Sequence, residues 1–396
     1  MKRVDPLHPT ISLAKMEEIA DRVAAVVDQV RHTMLAPEAR KRPPRFTAAQ
    51  LADLCGVDKN KIAYTAKKGK LPPGTKIGQR LEWTLAEVRL WVREFRSEFL
   101  RDPSLTAAAV ITVANLKGGV GKTTTTMCLA QRLSLLGHNV LCIDLDAQGS
   151  LTHLHGILPD TEVVAEQTVL SLCAGKVPSL LSAVQPTYWD GIDLVAGAPC
   201  LFNIEFLMPS RQRDEQGFQF WRVLDHGLDE CRDKYDVILI DTPPSISYTS
   251  VMALSAAQGL VLPLPPASLD FASSQQFFAL MTDVLGGLYH SVDGDKVFSF
   301  IDVLINKPER EGIATAVRQW ITASYGGMIL PVEIPKTSIA GTASSEFGTA
   351  YDLDSSVNPK TLKRALDAYN QLGDYIEGQM LSIWSADAEA VEKVMK

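Results

Sequence analysis

The stretch Val110-Ile111-Thr112-Val113-Ala114-Asn115-Leu116-Lys117-Gly118-Gly119-Val120-Gly121-Lys122-Thr123-Thr124 decides the fold of this 396-residue chain. Its β-branched start predicts a strand, a glycine-rich loop follows, and residues 127–133 continue as a helix. Strand, glycine loop and helix in this order are typical of a phosphate-binding loop. Glycine tolerates φ > 0, so backbone N–H groups of such a loop can close around phosphate oxygens.

The side chains of the loop predict their own roles in binding a nucleotide and Mg²⁺. Lys122 can reach the β- and γ-phosphates, the Thr123 hydroxyl can ligate Mg²⁺, and the helix that begins near Lys122 adds its positive dipole end. One departure from the common spacing is informative, because Leu116 stands where a glycine is usual and Lys117 precedes the loop. The predicted nucleotide contacts are Lys117, Gly118, Gly119, Val120, Gly121, Lys122, Thr123 and Thr124.

This variant resembles the deviant Walker A motif of the ParA/MinD group of ATPases. The resemblance implies that Lys117 crosses a dimer interface and touches the phosphates of the partner's nucleotide, while Lys122 keeps the ordinary role. It therefore implies a homodimer with ATP held between two subunits, and it makes both lysines catalytic candidates.

Two later strands carry carboxylates at their carboxyl ends. Asp144 and Asp146 lie two residues apart at the end of one strand, so both can face the nucleotide. Asp241 follows four apolar residues typical of a strand covered on both faces, and it fits the role of holding the Mg²⁺ shell. By resemblance to the ParA group, Asp146 orients the attacking water and Asp144 lies near Mg²⁺.

The remaining strands offer weaker candidates. A proline-rich loop leads to Asp270, which we expect to cap a helix beginning at Phe271. Asn306 stands where relatives of this kind touch the base, although a plain strand-end polar residue fits equally well. Lys336 follows an Ile-Pro pair, where relatives often place a basic residue for nonspecific DNA binding. Lys307, Arg310 and Arg318 either join Lys336 or are simply solvated.

From residue 109 onward, strand and helix patterns alternate, which predicts an α/β domain with a doubly wound, mostly parallel sheet over residues 109–396. A linker is predicted at residues 98–108. At the other end, apolar residues recur at helical spacing over residues 9–35, which predicts one long helix there, within an N-terminal segment that spans residues 1–38. Such a helix either packs onto its neighbouring domain or pairs with a second copy of itself.

Residues 39–97 predict a small DNA-binding domain. Thr47 can cap one helix, Asp58 begins a second after a tight turn, residues 76–83 form a short hairpin, and Thr84 caps a last helix. The segment resembles the winged helix-turn-helix of MerR-like regulators; the alternative is a small helical domain with a solvated basic face. The predicted DNA contacts are Lys59, Asn60, Lys61, Tyr64, Lys67 and, on the wing, Arg80.

The charge distribution supports a polyanion-binding segment. The net charge is −7, but residues 40–89 contain 12 Lys and Arg against 4 Asp and Glu, whereas the remainder is strongly acidic. The six cysteines are scattered without a Cys-x-x-Cys pair, which indicates reduced thiols rather than disulfides or a metal cluster. Neither an apolar run of 18–20 residues nor a signal-peptide pattern is visible. A cytoplasmic, nucleoid-associated protein is therefore expected.

Together the motifs resemble the large ParA/SopA proteins of plasmid and chromosome partition. The resemblance implies an ATPase that uses ATP/ADP and Mg²⁺, dimerises around ATP, binds nonspecific DNA, is stimulated by a ParB-like partner and represses its operon through the N-terminal domain. Two alternatives remain. A MinD-like membrane-cycling ATPase needs a basic amphipathic C-terminal helix, and residues 359–383 predict a mixed-to-acidic one. A transcription regulator with a P-loop sensor domain would bind an operator without turnover.

Overall fold

The structure is a computed structural model that describes residues 11–34, 41–292, 294–308, 312–336, 348–352 and 358–395. The chain divides into two compact units, Met1–Arg42 and Pro43–Lys396. The first unit contains helix α1, Leu13–Met34, where residues 9–35 were predicted; residues 9, 10 and 35 lie outside the described part. Its apolar side chains, including Met16, Ile19 and Val23, are exposed within this chain. Pairing or docking of α1 stays a prediction.

The second unit begins with a small mixed module. Its elements in chain order are β1 (Phe46–Thr47), α2 (Ala48–Leu54), α3 (Lys59–Lys67), β2 (Thr75–Ile77), β3 (Arg80–Trp83) and α4 (Leu85–Phe95). The predicted caps are confirmed, since Thr47 and Thr84 each accept a backbone N–H three residues later in a capping box. The predicted hairpin is present as antiparallel β2 and β3, and β1 adds a third strand that the sequence pattern had not indicated.

The rest of the unit is built on an eight-stranded sheet. Its strands are β4 (Ala109–Val113), β5 (Val140–Asp144), β6 (Gln185–Pro186), β7 (Ile192–Val195), β8 (Val237–Asp241), β9 (Gly259–Leu264), β10 (Phe300–Asn306) and β11 (Ile329–Ile334). The order is β11-β10-β9-β4-β8-β5-β7-β6, and every pairing is parallel except the antiparallel pair β6–β7. The predicted mostly parallel sheet is confirmed, and the carboxyl ends of β4, β5 and β8 meet at one edge.

Helices cover both faces of this sheet. They are α5 (Lys122–Leu135), α6 (Ser150–Leu154), α7 (Leu170–Cys173), α8 (Ile204–Asp214), α9 (Val223–Gly227), α10 (Asp229–Lys234), α11 (Tyr248–Ala256), α12 (Ser268–His290), α13 (Ile313–Tyr325) and α14 (Pro359–Met395). Alternate residues of β4 face opposite ways: Ile111 joins the core under α5 and α14, whereas Val110 joins the core under α11, α12 and α13. The central strands β4, β5, β8 and β9 are therefore buried on both sides, as expected in a doubly wound sheet.

The small module is fastened to the sheet domain by arginines of α4. Arg89 is 5% exposed, and its guanidinium donates to the carbonyl oxygens of Ser134 (2.7 Å) and His138 (2.8 Å). Arg93 donates to the carbonyl of Gly137, and Arg96 donates to that of Leu136 at 2.9 Å. These carbonyls lie at the carboxyl end of α5, where a helix leaves its last carbonyls without intrahelical partners. Three cations thus cap the helix that begins at the glycine loop.

The segment 98–108, predicted as a linker, is also held against the sheet domain. Arg101 is 8% exposed; it donates to the carbonyl of Asp233 at 2.7 Å and pairs with Asp236 at 3.3 Å. In the described part of the chain, no helix has the length and apolar character needed to cross a membrane.

Candidate active site

The glycine loop between β4 and α5 needs glycine at two positions. Gly119 (φ +74°) and Gly121 (φ +95°) have left-handed backbones, whereas Gly118 does not. At Gly121 a Cβ atom would also collide with the side-chain amide of Asn306. The loop conformation therefore excludes side chains at Gly121 both through its backbone angle and through its neighbour.

Three side chains hold carbonyl groups of this loop. Lys122 Nζ donates to the carbonyl of Lys117 (3.2 Å), Asn306 Nδ2 to that of Val120 (2.6 Å) and Lys307 Nζ to that of Gly119 (2.8 Å). Asn306 is 2% exposed and its amide nitrogen is directed at the loop, a contact that the sequence did not indicate. Its contact with a base stays a prediction.

A cavity of about 420 Å³ opens beside the loop. Of the predicted nucleotide contacts it is lined by Gly118, Gly119, Gly121, Lys122, Thr123 and Thr124. Asp146, which comes from the end of β5, lines it as well, and so do Pro244 and Lys307. Val120 is buried behind the loop at 1% exposure. The cavity thus brings together residues from four separate stretches of sequence.

Two of the three predicted metal-binding residues, Thr123 and Asp241, are hydrogen-bonded to each other, and the third, Asp144, lies beside Asp241 on the neighbouring strand. Thr123 Oγ1 donates to Asp241 Oδ2 at 2.7 Å, and Thr126 Oγ1 donates to Asp241 Oδ1 at 3.3 Å. Asp144 is the register partner of Asp241 on the neighbouring strand, and both carboxylates are fully buried. Asp144 accepts the backbone N–H and the hydroxyl of Thr152 at 2.9 and 2.8 Å.

Both carboxyl groups of this pair have raised pKa values. Burial and the neighbouring Asp144 charge raise the pKa of Asp241 to about 8, against the opposing effect of its hydrogen bond from Thr123. Burial raises the pKa of Asp144 to about 6, and burial lowers the pKa of Lys122. Adjacent buried carboxylates with a threonine hydroxyl are hard oxygen ligands that a divalent cation would neutralise, so this donor set fits Mg²⁺.

Asp146 stands apart from that buried pair. It lines the cavity, its Oδ1 accepts the backbone N–H of Gln148 at 2.9 Å, and its own N–H donates to Asp144 Oδ1 at 3.1 Å. The bond to Asp144 holds the backbone of Asp146, and the residue lies in the cavity wall. That placement is compatible with orienting a water molecule, the role predicted for it.

Lys117 contacts an acidic residue on another element. Its Nζ lies 2.9 Å from Asp270 Oδ2, and the Lys117 side chain is 37% exposed while that of Asp270 is 10% exposed. The prediction that Asp270 caps a helix from Phe271 is wrong: α12 begins at Ser268 after Ala267, because the chain turns into the helix directly after Pro265-Pro266. Asp270 lies in the first turn instead, which frees its carboxylate for Lys117.

The predicted DNA contacts lie on two separate parts of the surface. Lys59, Asn60, Lys61, Tyr64 and Lys67 are exposed on α3, while Ile62 on the opposite side of this helix is buried. Arg80 is exposed on β3 of the hairpin, and Lys336 is exposed two residues after β11. Lys68 Nζ lies 4.5 Å from the centre of the Tyr64 ring, a cation–π contact that adds Lys68 to the basic surface of α3.

Comparison with known proteins agrees with this architecture. A family model described as an AAA domain matches residues 108–286. Protein SopA of Escherichia coli strain K12 is 29% identical over 357 residues, which cover 88% of each chain. Chromosome partitioning protein ParA of Caulobacter vibrioides is 28% identical over 270 residues, or 67% of this chain and 95% of the relative.

Solved structures share the fold. A structure described as a partition protein matches 92% of this chain and 98% of its own, with a TM-score of 0.67 and 19% identity. The cobyrinic acid a,c-diamide synthase of Mycobacterium smegmatis, solved with bound ADP and magnesium, is 26% identical with a TM-score of 0.51. That match covers 68% of this chain and 94% of the synthase. The sheet domain is a P-loop ATPase α/β fold.

Proposed function

We propose that this chain, a homologue of the ParA and SopA partition ATPases, is an ATP-hydrolysing DNA partition protein that dimerises around ATP. One observation carries the proposal: the glycine loop, Lys122, Thr123 and Asp146 line one cavity, and Thr123 donates to Asp241 of the buried Asp144–Asp241 pair. Loop N–H groups and Lys122 bind the triphosphate. Thr123, Asp144 and Asp241 would hold Mg²⁺, which would supply positive charge to the phosphates.

Hydrolysis requires a water molecule positioned for attack on the γ-phosphate. In the proposal Asp146 orients this water from the cavity wall. Lys117 leaves Asp270 and reaches the nucleotide of the second subunit, so that each site is complete only in the dimer. Turnover is therefore slow in the single chain and rises when a ParB-like partner favours the closed arrangement.

DNA is bound in two ways in this proposal. The module of α2, α3 and the β2–β3 hairpin acts as a winged helix-turn-helix that binds the operator and represses the chain's own operon; Lys59, Lys61, Lys67 and Arg80 contact phosphates, and Asn60, Lys61 or Tyr64 reads bases. Lys336 belongs to the nonspecific surface of the ATP dimer. Both modes weaken steeply with salt because phosphate contacts release counterions.

The decisive experiment measures ATP turnover and ATP-dependent dimerisation in four proteins. Wild type is expected to hydrolyse Mg·ATP, faster with DNA and the protein encoded immediately downstream. Lys122→Ala is expected to lose nucleotide binding, and Asp146→Ala to dimerise with ATP but not to turn it over. Lys176→Ala, an exposed lysine outside the cavity, serves as the control. A protein that binds an operator but never hydrolyses ATP would instead identify the P-loop regulator.

The operator-binding part has its own test. Lys59→Glu together with Lys61→Glu on α3 is expected to abolish operator binding and to leave nonspecific, ATP-dependent DNA binding in place. Loss of both binding modes, or of neither, contradicts the two-surface account. Point variants suit this test better than removal of residues 1–97, because α4 supplies the arginines that cap α5.

A further inference from the structure

The end of β10 carries two consecutive side chains that hold two consecutive carbonyls of the glycine loop. Asn306 Nδ2 donates to Val120 O at 2.6 Å, and Lys307 Nζ donates to Gly119 O at 2.8 Å. Asn306 is buried, whereas Lys307 lies partly exposed in the wall of the nucleotide cavity. Neither the glycine-loop motif nor the resemblance assigns this arrangement to Lys307.

The backbone of Lys307 is unusual. Among the residues that the structure describes, it is the one non-glycine residue with positive φ, at +54°. Its own N–H donates to the carbonyl of Ile334 at the end of β11, at 2.8 Å. A left-handed lysine is strained by about 1 kcal/mol relative to glycine, so the contacts that its conformation permits must compensate for that strain. Those contacts are the bond to β11 and the bond to the glycine loop.

Holding a carbonyl also fixes the next amide of the chain. In a planar trans peptide, the C=O of one residue and the N–H of the next point in opposite directions. The Gly119 carbonyl held by Lys307 therefore turns the N–H of Val120 away from Lys307, and the Val120 carbonyl held by Asn306 does the same for the N–H of Gly121. Backbone N–H groups are the donors with which such a loop binds phosphate.

We propose that Lys307 is a positioning residue of the nucleotide site, which orients the loop amides through Gly119 O before any phosphate arrives. Its ammonium and its left-handed backbone act together: the backbone directs the side chain back over the loop, and the ammonium supplies the donor. The inference rests on the proposed function for its nucleotide, while the ordering of the loop itself is independent of it.

The test separates the ammonium from the backbone. Lys307→Gly keeps the positive φ and removes the donor, Lys307→Arg restores a cationic donor of similar reach, and Lys176→Ala is the surface control. For each protein, calorimetry gives the affinity for Mg·ADP, and hydrogen exchange of the nucleotide-free protein reports the protection of amides 118–123. Thermal unfolding without nucleotide verifies that each variant folds.

Lys307→Gly is expected to bind ADP about tenfold more weakly, the order expected for losing one hydrogen bond from a charged donor, and to exchange amides 118–123 faster. Lys307→Arg should recover affinity to within about threefold. Unchanged exchange in Lys307→Gly overturns the proposal even if ADP affinity falls, because the ammonium would then act on the nucleotide directly. If wild type binds no ADP, the proposed function fails, but the exchange measurement still decides the role of Lys307.

Discussion

Lys117 Nζ and Asp270 Oδ2 lie 2.9 Å apart, so the lysine expected to reach across to a second subunit is paired within its own chain. The pair lies between the entrance of the glycine loop and the first turn of α12. An ion pair with one side chain 37% exposed contributes at most about 1 kcal/mol after solvent screening. It can therefore hold Lys117 in the single chain without preventing its transfer.

Asp270→Asn should consequently favour the dimer. With this competitor for Lys117 removed, ATP-dependent dimerisation is expected to tighten by roughly two- to fivefold, the equivalent of about 0.5–1 kcal/mol. Sedimentation with a non-hydrolysable ATP analogue measures the effect, and Asp283→Asn, at an exposed position on the same helix, is the control. Weaker dimerisation in Asp270→Asn would mean that the carboxylate is needed in the dimer itself.

The Asp144–Asp241 pair should make stability depend on pH when nucleotide and metal are absent. The folded pKa values of about 8 and about 6 lie above the roughly 3.9 of an unfolded aspartate. Between these pH values the two carboxyls stay protonated in the folded state but are ionised in the unfolded state. The contribution of the pair to the free energy of unfolding is therefore largest below pH 4 and is lost as the pH rises through 6 to 8.

Asp241→Asn is expected to remove much of this dependence. It should raise the free energy of unfolding by about 1–2 kcal/mol at pH 8, because it relieves the repulsion between buried charges, and by less at pH 6. Urea unfolding in the presence of a chelator, at both pH values, measures the difference. A variant that is less stable than wild type at pH 8 would contradict the charge argument.

Gly121→Ala should prevent nucleotide binding. Alanine at this position would have to keep φ near +95°, and its Cβ would collide with the side-chain amide of Asn306, so the loop must shift. We expect a loss of at least tenfold in Mg·ADP affinity by calorimetry, with destabilisation of about 1–3 kcal/mol. Gly69→Ala also lies at positive φ, but in open space away from the cavity, and it should leave ADP affinity unchanged.

Arg89→Ala should destabilise the whole second unit. The guanidinium also donates to Asn139 Oδ1 at 2.7 Å and pairs with Asp190 at 2.9 Å. Its removal would leave the buried carbonyls of Ser134 and His138 without this donor. The expected loss is about 2–4 kcal/mol in urea unfolding. The exposed Arg80→Ala should change stability by less than about 0.5 kcal/mol. An equal loss of unfolding free energy in Arg89→Ala and Arg80→Ala would contradict the capping role of Arg89.

The sequence predicted the features that depend on local pattern. The β-branched run before the glycine loop and the apolar run before Asp241 are continuous, as is typical of buried parallel strands. Thr47 and Thr84 carry their capping signal within four residues. The convergence of Asp144 and Asp241 followed from strand ends meeting at one edge of a parallel sheet.

What the sequence did not predict depends on contacts between distant segments. Asp270 lies 153 positions after Lys117, Lys307 lies 188 positions after Gly119, and Arg89 lies 45 positions before Ser134, so no local periodicity links them. The surplus of basic residues over 40–89 indicates a polyanion-binding segment, yet Arg89, one of these residues, is buried. A charge count cannot separate a cation that faces solvent from one that caps a helix.

Helix α5 joins the glycine loop to the arginines of α4 with 14 residues, a rod about 21 Å long. If this helix tilted by a few degrees as a rigid rod, its carboxyl end would move by about 1–2 Å. The arginines of α4 are bonded to that end, so α4 would move with it. The β2–β3 hairpin, α3 and α4 contribute Trp83, Ile62 and Trp91 to one hydrophobic core. We therefore expect that binding at the glycine loop is linked, through α5 and α4, to the position of α3 and the β2–β3 hairpin.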